Sequence, residues 1–286
     1  MSTEQLMPRR LWTRTVRGMH VSFLWIYALL SVYPLIWMVF YSLKTNNEIF
    51  ISNPFGPPTS LRIENYEMAL SAFNVPVYFM NSIIVSVATV AITLTFAVMF
   101  GYATARLQWR GRDLARLFVV LGLFIPAEVI LIPIAQLIRD LGLNDSRAGL
   151  IVPYVAFNLA FASLIFYGFC RTIPLQMEEA AFIDGASMKQ SFVSIILPLL
   201  KPAMATSLIF IFLAAWNEFT LSLIIIRSEA LKTLPLGLLR FRGEFATNWG
   251  ATGAALTLAS IPTVVLYLII SQHVEKALTI GARMEK

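Results

Sequence analysis

Two carboxylates lie inside long apolar stretches of this sequence, Glu128 and Glu218. An ionisable side chain at membrane depth is costly, and it usually faces a cavity or a polar partner. Together with Asn158 and Asn217, these glutamates are therefore candidates for hydrogen-bonding a polar solute along a pathway. Bonding between helices explains the glutamates equally well, and it is the more typical role of the asparagines.

Further chemistry within the chain is not indicated. No GxxxxGK[ST] phosphate loop occurs, so the chain is not expected to hydrolyse ATP by itself. Cys170 is the single cysteine, and the two histidines, His20 and His273, lie near the ends of apolar segments. We expect the histidines to act as interfacial anchors, and we predict neither a metal site nor a catalytic residue.

The most distinctive polar stretch is Glu178–Pro202, which separates two apolar segments. Its start contains good helix formers, and Glu178 and Glu179 suit the positive end of a helix dipole. Gly185 then permits a turn that bulkier residues resist. These features predict a short helix followed by a sharp turn.

A second short helix is predicted after that turn. Ser187 followed by Gln190 fits a capping box, and Pro198 and Pro202 interrupt the path toward the next apolar segment. From spacing alone, a docking element and an ordinary amphipathic loop on the membrane surface are equally good interpretations.

Composition indicates the class of protein that must position these residues. The chain is 58% hydrophobic and 13% charged, with a mean hydropathy of +0.72, which is typical of a polytopic membrane protein. Backbone groups in lipid must be paired internally, so the spans must be helical. The net charge of +6 is better explained by topology than by nucleic-acid binding. We predict an all-α integral membrane protein with six spans, at about 20–43, 77–104, 114–138, 148–170, 203–226 and 252–273.

Orientation follows from Lys and Arg in the short loops. With the N-terminus inside, fourteen of the 22 basic residues fall in inner segments, so both termini are predicted to be cytoplasmic. The domains are then an N-terminal segment, 1–19, the six-span domain, 20–273, and a tail, 274–286. The first apolar run is too long for a signal-peptide core, and we expect it to remain as an anchor.

The polar stretch carries a family resemblance. Glu179-Ala180-Ala181, Gly185, Ile195 and Leu197-Pro198, with Asp184-Gly185-Ala186, resemble the EAA motif of binding-protein-dependent ABC transporter permeases. Three more segments resemble the second permease subunit of maltose-type carbohydrate transporters: Ala215–Phe219, Thr233–Leu238 and Ala277–Ala282. The terminus Arg283–Lys286 departs from the Gly-containing tail common in that family, which puts any contact of that tail in doubt.

The resemblance implies a type I ABC importer permease fold in the bacterial inner membrane. The EAA loop, 174–202, would dock on a cytoplasmic ATPase dimer that binds ATP and Mg, while this chain has no cofactor of its own. A sibling permease would complete the pathway, and an extracytoplasmic solute-binding protein would deliver a sugar. The resemblance assigns ATPase coupling to Glu179, Ala180, Ala181, Asp184, Gly185, Ala186 and Pro198. It assigns contact with the binding protein to Gly243, Glu244 and Asn248, for which a plain hydrated connector is nearly as good an explanation.

A different class of function is an ion-coupled secondary transporter that uses Glu128 and Glu218 as coupling carboxylates. It would transport solute alone, driven by a proton or sodium gradient, and it would have no use for an EAA loop. A membrane-embedded enzyme is a third class, and the absence of a catalytic constellation argues against it.

Overall fold

The structure is a computed structural model that describes residues 6–71, 74–239 and 248–283, with side chains described over 17–71, 74–239 and 248–270. Within these ranges the regular elements are all helical, which confirms the predicted all-α class. The α-helices are α1 (Leu6–Ser42), α2 (Glu64–Ser71), α3 (Val75–Arg106), α4 (Arg112–Leu121), α5 (Leu131–Asp140), α6 (Arg147–Thr172), α7 (Gln176–Ile183), α8 (Met188–Ser191), α9 (Leu197–Leu199), α10 (Lys201–Asn217), α11 (Thr220–Ile225), α12 (Leu234–Gly237) and α13 (Trp249–Arg283). Short 3₁₀-helices are Gly122–Phe124, Ala127–Ile130 and Glu229–Leu231. Short π-helical segments are Glu48–Ser52 and Phe192–Ile196.

Four stretches of helix in the described part of the chain are long and apolar enough to cross a membrane. They are Arg17–Ser42, Val75–Arg106, Arg147–Thr172 and Trp249–Ile270. Two further pairs of helices reach this length only as bent spans, and counting each pair once gives six. The expected six-span architecture therefore holds, with two of the spans broken.

The predicted third span, 114–138, is divided rather than continuous. Its halves, Arg112–Phe124 and Ala127–Asp140, meet at 92°. Pro126 and the residue before it, Ile125, have extended backbones, because proline has no N–H and crowds the residue that precedes it. Glu128 lies just after this break, on an exposed turn, so it is not inside a continuous membrane helix as the sequence suggested.

The predicted fifth span, 203–226, also differs. Helix α10 ends at Asn217, and the separate helix α11 follows after a break at Glu218 and Phe219. On its other side, α10 forms a pair with Met188–Leu199 that is bent by 70°. The prolines of the polar stretch therefore turn the chain into α10, as expected. The prediction of one continuous span to residue 226 is wrong, because the helix is interrupted at Glu218 and Phe219.

The chain forms two compact units. The first comprises Met1–Phe73 and Phe241–Leu258. In it, Asn65 donates from Nδ2 to the carbonyls of Ser42 and Lys44, at 2.9 and 3.0 Å. Glu48 is buried and accepts from the backbone and hydroxyl of Thr59, and these hydrogen bonds hold the pKa of that carboxyl below its usual range.

The second unit comprises Asn74–Arg240 and Ala259–Lys286. Helices α3, α6 and α10 pack together at its centre. Small hydroxyl side chains of α3 are buried there and allow close packing: Ser82, Ser86, Thr89 and Thr93. One end of this unit carries the polar stretch after α6, and the other end carries the segment between α11 and α12.

Candidate functional site

The polar stretch folds as two short helices joined by a tight turn. Helix α7 ends at Ile183, with Asp184 as its C-cap residue. Gly185 follows with φ of +84°, in the left-handed region that glycine adopts without steric cost. The turn is closed by hydrogen bonds from Gly185 N–H to the Phe182 carbonyl, 3.1 Å, and from Ala186 N–H to the Ala181 carbonyl, 2.9 Å. The predicted turn at Gly185 is confirmed.

The second helix begins with the predicted capping box. Gln190 N–H donates to Ser187 Oγ at 3.3 Å, and Ser187 N–H donates to Gln190 Oε1 at 2.8 Å. Two N–H groups that would otherwise be unpaired at the helix start are thereby satisfied. The two-helix form is therefore specified locally by the sequence.

Glu178 anchors this element to the membrane helices, which sequence reasoning did not anticipate. Its side chain is 3% exposed, and its Oε1 lies 2.9 Å from Arg106 Nε at the end of α3. Tyr102 donates to Glu178 Oε2 at 2.8 Å, and Arg106 Nη2 also donates to the Ile173 carbonyl. The dipole argument treated both glutamates alike, but only Glu178 is buried, while Glu179 is exposed. The available signal in the sequence was Arg106, at the end of an apolar span. Its position was already explained by the excess of Lys and Arg on the cytoplasmic side, so no partner was sought for it.

The opposite face of α7 and the turn is open. Glu179, Ala180, Asp184 and Gly185 are exposed, as is Pro198 on α9, whereas Ala181 is buried and Ala186 is half-buried. Large apolar side chains are also exposed at this face: Phe182, Ile183 and Met188. Exposed apolar groups rimmed by polar ones are typical of protein-interaction surfaces. We call the exposed residues within Glu179–Met188, that is all but Ala181 and Ala186, the loop surface.

Glu218 makes the contacts of a structural cap. Its Oε1 accepts from Leu221 N–H at 2.7 Å and its Oε2 accepts from Ser222 N–H at 3.2 Å, at the start of α11. Tyr154, which is buried in α6, also donates to Oε2. Both carboxylate oxygens are thus engaged within the protein, which favours the interhelical explanation for this glutamate.

The other polar candidates lie apart from one another. Asn158 donates to the carbonyl of Tyr154 at 2.8 Å, and Asn217 donates to the carbonyl of Leu213 at 2.9 Å. Both bonds lie within a helix, at a spacing of four residues. Glu128 is exposed and shares no contact with these groups in the described part of the chain. The hydrogen bonds of the described residues therefore do not join these four candidates into one site.

At the other end of the second unit, the segment after α11 is tied to α3. Leu234 N–H donates to Ser82 Oγ at 2.8 Å, and Asn81 Nδ2 donates to the carbonyls of Ala230 and Lys232. A Cβ on Gly237 would collide with the Tyr78 ring, so this position requires glycine. The segment Thr233–Leu238, which carried part of the family resemblance, therefore packs against α3.

Asp145 fastens the same end from the α5–α6 turn. Its carboxylate accepts from the Ser228 hydroxyl and from the N–H groups of Ser228 and Arg227, each 2.9 Å from Oδ1. These hydrogen bonds hold the pKa of Asp145 below its usual range. The sequence contained no signal for this contact.

Of the residues predicted to contact a binding protein, Gly243 and Glu244 lie outside the described residues. Asn248 is described in the first unit, where its Oδ1 accepts from Ala251 N–H at 3.0 Å and caps α13. It also lines a polar cavity of about 520 Å³. The described residues contain no cluster of His, Cys, Asp or Glu that could hold a metal ion.

Comparison with known proteins adds independent information. A family model described as "Binding-protein-dependent transport system inner membrane component" matches residues 97–280. The chain is 35% identical, over 88% of its length and 91% of the relative's, to the diacetylchitobiose uptake system permease protein DasC of Streptomyces coelicolor. It is 32% identical, over 89% of its length and 92% of the relative's, to the trehalose/maltose transport system permease protein MalG of Thermococcus litoralis.

A solved structure shares the fold. A chain of a bacterial ABC transporter involved in the import of the acidic polysaccharide alginate superimposes with a TM-score of 0.79. The sequences are 25% identical, and the match covers 91% of this chain and 96% of the other. The overall helical arrangement is therefore similar to that of a chain in a known importer.

Proposed function

The chain belongs to the family of binding-protein-dependent transport system inner membrane components, and from this membership we propose that it moves a sugar or an oligosaccharide into the cell by alternating access. It is a multi-pass permease subunit of an ABC importer. Carbohydrate as the solute is supported by the relatives, whose names specify diacetylchitobiose and trehalose or maltose. An ion-coupled mechanism has no comparable support, and the contacts of Glu218 are those of a cap.

In this proposal the loop surface is the site at which the ATPase contacts this chain, and conformational change driven by ATP hydrolysis reaches the membrane helices through it. Glu179, Ala180, Asp184 and Gly185 would meet a cytoplasmic ATPase, with Pro198 holding the bend that leads into α10. Ala181 is buried and Ala186 half-buried, so these two predicted residues would support the surface from beneath. The observation that carries the proposal is the pairing of an exposed turn with a buried anchor. Because Glu178 is bound to Arg106, a push on α7 is transmitted directly to the end of α3.

The complete machine requires other subunits. A dimeric ATPase would bind ATP and Mg, since this chain has no phosphate loop and would not be an enzyme by itself. A sibling permease would supply the other half of the pathway, and an extracytoplasmic binding protein would meet Gly243, Glu244 and Asn248. With both termini in the cytoplasm, the loop surface faces the ATPase.

The four residues predicted to line a solute pathway differ in whether their side chains are already hydrogen-bonded within the chain. Glu128 is exposed and its carboxylate is available to a partner or a solute. Asn158, Asn217 and Glu218 are engaged in hydrogen bonds within the chain. We propose that Glu128 is the strongest of the four as a pathway residue, and that the other three shape the helices around it.

Reconstitution tests this function. The chain is placed in proteoliposomes with and without a candidate ATPase, sibling permease and binding protein, and sugar uptake is measured with and without ATP. The proposal expects uptake only with the full set and ATP. ATP-independent uptake by this chain alone would overturn it.

A charge reversal tests the docking surface separately. Glu179→Lys should reduce ATPase co-purification and uptake while membrane insertion is retained, because Glu179 is exposed. Glu64→Lys is a matched control, since Glu64 is also exposed but lies in the first unit. Equal ATPase recovery with both variants would count against the coupling assignment.

A further inference from the structure

Two arginines converge on one tyrosine at the end of the second unit that carries the loop surface. The guanidinium carbon of Arg116 lies 4.7 Å from the centre of the Tyr167 ring, and that of Arg171 lies 5.8 Å from it. Arg116 Nη1 donates to the Tyr167 hydroxyl, and Arg171 Nη1 approaches the same oxygen at 3.4 Å. A neutral side chain therefore holds two cations close together, through hydrogen bonds and ring faces.

The local charge is not balanced by the protein. Asp113 is the one acidic residue of α4, and α6 contains none. The Asp113 carboxylate lies 3.2 Å from Arg116 Nη2 and 3.7 Å from Arg112 Nε. Arg171 forms no salt bridge with any described residue, and Arg110 is exposed nearby in sequence. Excess positive charge of this kind attracts an anion.

The position of these arginines is that of a membrane boundary. Arg171 lies in the last turn of the spanning helix α6. Helix α4 begins beside it and exposes one apolar row, formed by Leu114, Phe118 and Leu121, at 71, 77 and 51%. A helix with a basic side and an apolar side lies stably where headgroups meet acyl chains. An exposed tryptophan, Trp109, precedes it, as is common at this level.

We propose that Arg116 and Arg171, held by Tyr167, bind the phosphate of an anionic phospholipid in the adjacent leaflet. Guanidinium groups match the geometry of phosphate oxygens and remain charged. Gly168 leaves room beside them, because a Cβ there would meet nothing within 4 Å. The apolar row of α4 lies where acyl chains would run, which favours a lipid over free phosphate.

Native mass spectrometry of the full-length chain in detergent tests the site. The chain is titrated with phosphatidylglycerol, phosphatidylcholine or inorganic phosphate, and bound adducts are counted. We expect phosphatidylglycerol adducts to dominate, and to fall about tenfold in Arg171→Gln and Arg116→Gln, the scale expected when a charge-assisted hydrogen bond is lost. Arg139→Gln, an exposed arginine on α5, is the matched control and should leave binding unchanged.

The outcomes that overturn the proposal are specific. Equal adducts with phosphatidylcholine would show that charge does not select the lipid. Competition by inorganic phosphate at the same concentration would indicate an ion site instead of a lipid site. Unchanged phosphatidylglycerol binding in the Arg116→Gln, Arg171→Gln double variant would place the lipid elsewhere. Thermal melting of each variant verifies that it is folded, and Arg171→Lys should retain part of the binding.

Discussion

Glu178 and Arg106 form a buried ion pair, 2.9 Å between Oε1 and Nε, that joins the EAA loop to the end of α3. The side chains are only 3% and 11% exposed. An ion pair in such a place is expensive to form, so its value here is positional: it fixes the short helix α7 to a membrane helix. The ion pair therefore connects the loop to α3 directly.

Removal of either partner of this ion pair should be strongly destabilising, because the other charge is then buried alone. Arg106→Met or Glu178→Gln leaves a buried charge without its partner, and we expect each to destabilise the chain by about 3–5 kcal/mol. The double variant should cost less than the sum of the two. Thermal or denaturant unfolding in detergent measures this cycle. Additive losses would show that the pair does not act as a unit.

The turn at Gly185 should resist any side chain. Gly185→Ala places a Cβ at φ of +84°, which costs about 1–2 kcal/mol and should shift the turn that presents Asp184. We expect ATP-dependent uptake to fall more than protein yield. Gly18→Ala is the control, because Gly18 is helical with open space around it, and alanine there gains up to about 1 kcal/mol. Normal uptake by Gly185→Ala would contradict the role of the turn.

Glu218→Ala should behave as the loss of a helix cap. The N–H groups of Leu221 and Ser222 lose their acceptor at a cost of about 0.5–2 kcal/mol, and the buried hydroxyl of Tyr154 loses its partner. Uptake should fall only in proportion to the folded fraction. Asn217→Ala, which removes one exposed hydrogen bond within the last turn of α10, should change stability by less than about 0.5 kcal/mol. A well-folded Glu218→Ala protein without uptake would instead assign Glu218 to the solute pathway.

The contact of Asp145 with Arg227 and Ser228 should depend on pH. Hydrogen bonds lower the pKa of Asp145 in the folded protein, so its contribution is present above the ordinary pKa of about 3.8 and is lost as pH falls through the lower folded value. Melting temperatures measured from pH 6 downward should therefore decline more steeply, below about pH 4, in the parent chain than in Asp145→Asn. Parallel pH profiles would show that the carboxylate adds no pH-dependent stability.

Several local features could be predicted from the sequence because neighbouring residues determine them. The capping box of Ser187 and Gln190 and the turn at Gly185 depend on side chains within three residues and on one backbone angle. The six-span class could be predicted because every spanning backbone must pair with itself in lipid. The family could be recognised because the motif residues of the EAA loop all lie within one short segment, Glu179–Pro198, at fixed spacings.

The tertiary structure decided which polar side chains have partners. Glu178 and Glu179 are adjacent in sequence, yet one is buried against Arg106 and the other is exposed, because only the Glu178 side chain reaches Tyr102 and Arg106 of α3. Likewise Glu128 and Glu218 both lie in apolar surroundings, but breaks in the third and fifth spans expose the first and make the second a cap. Burial and pairing depend on residues 64 to 72 positions away, as with Tyr154 and Arg106, and no local pattern encodes such distances.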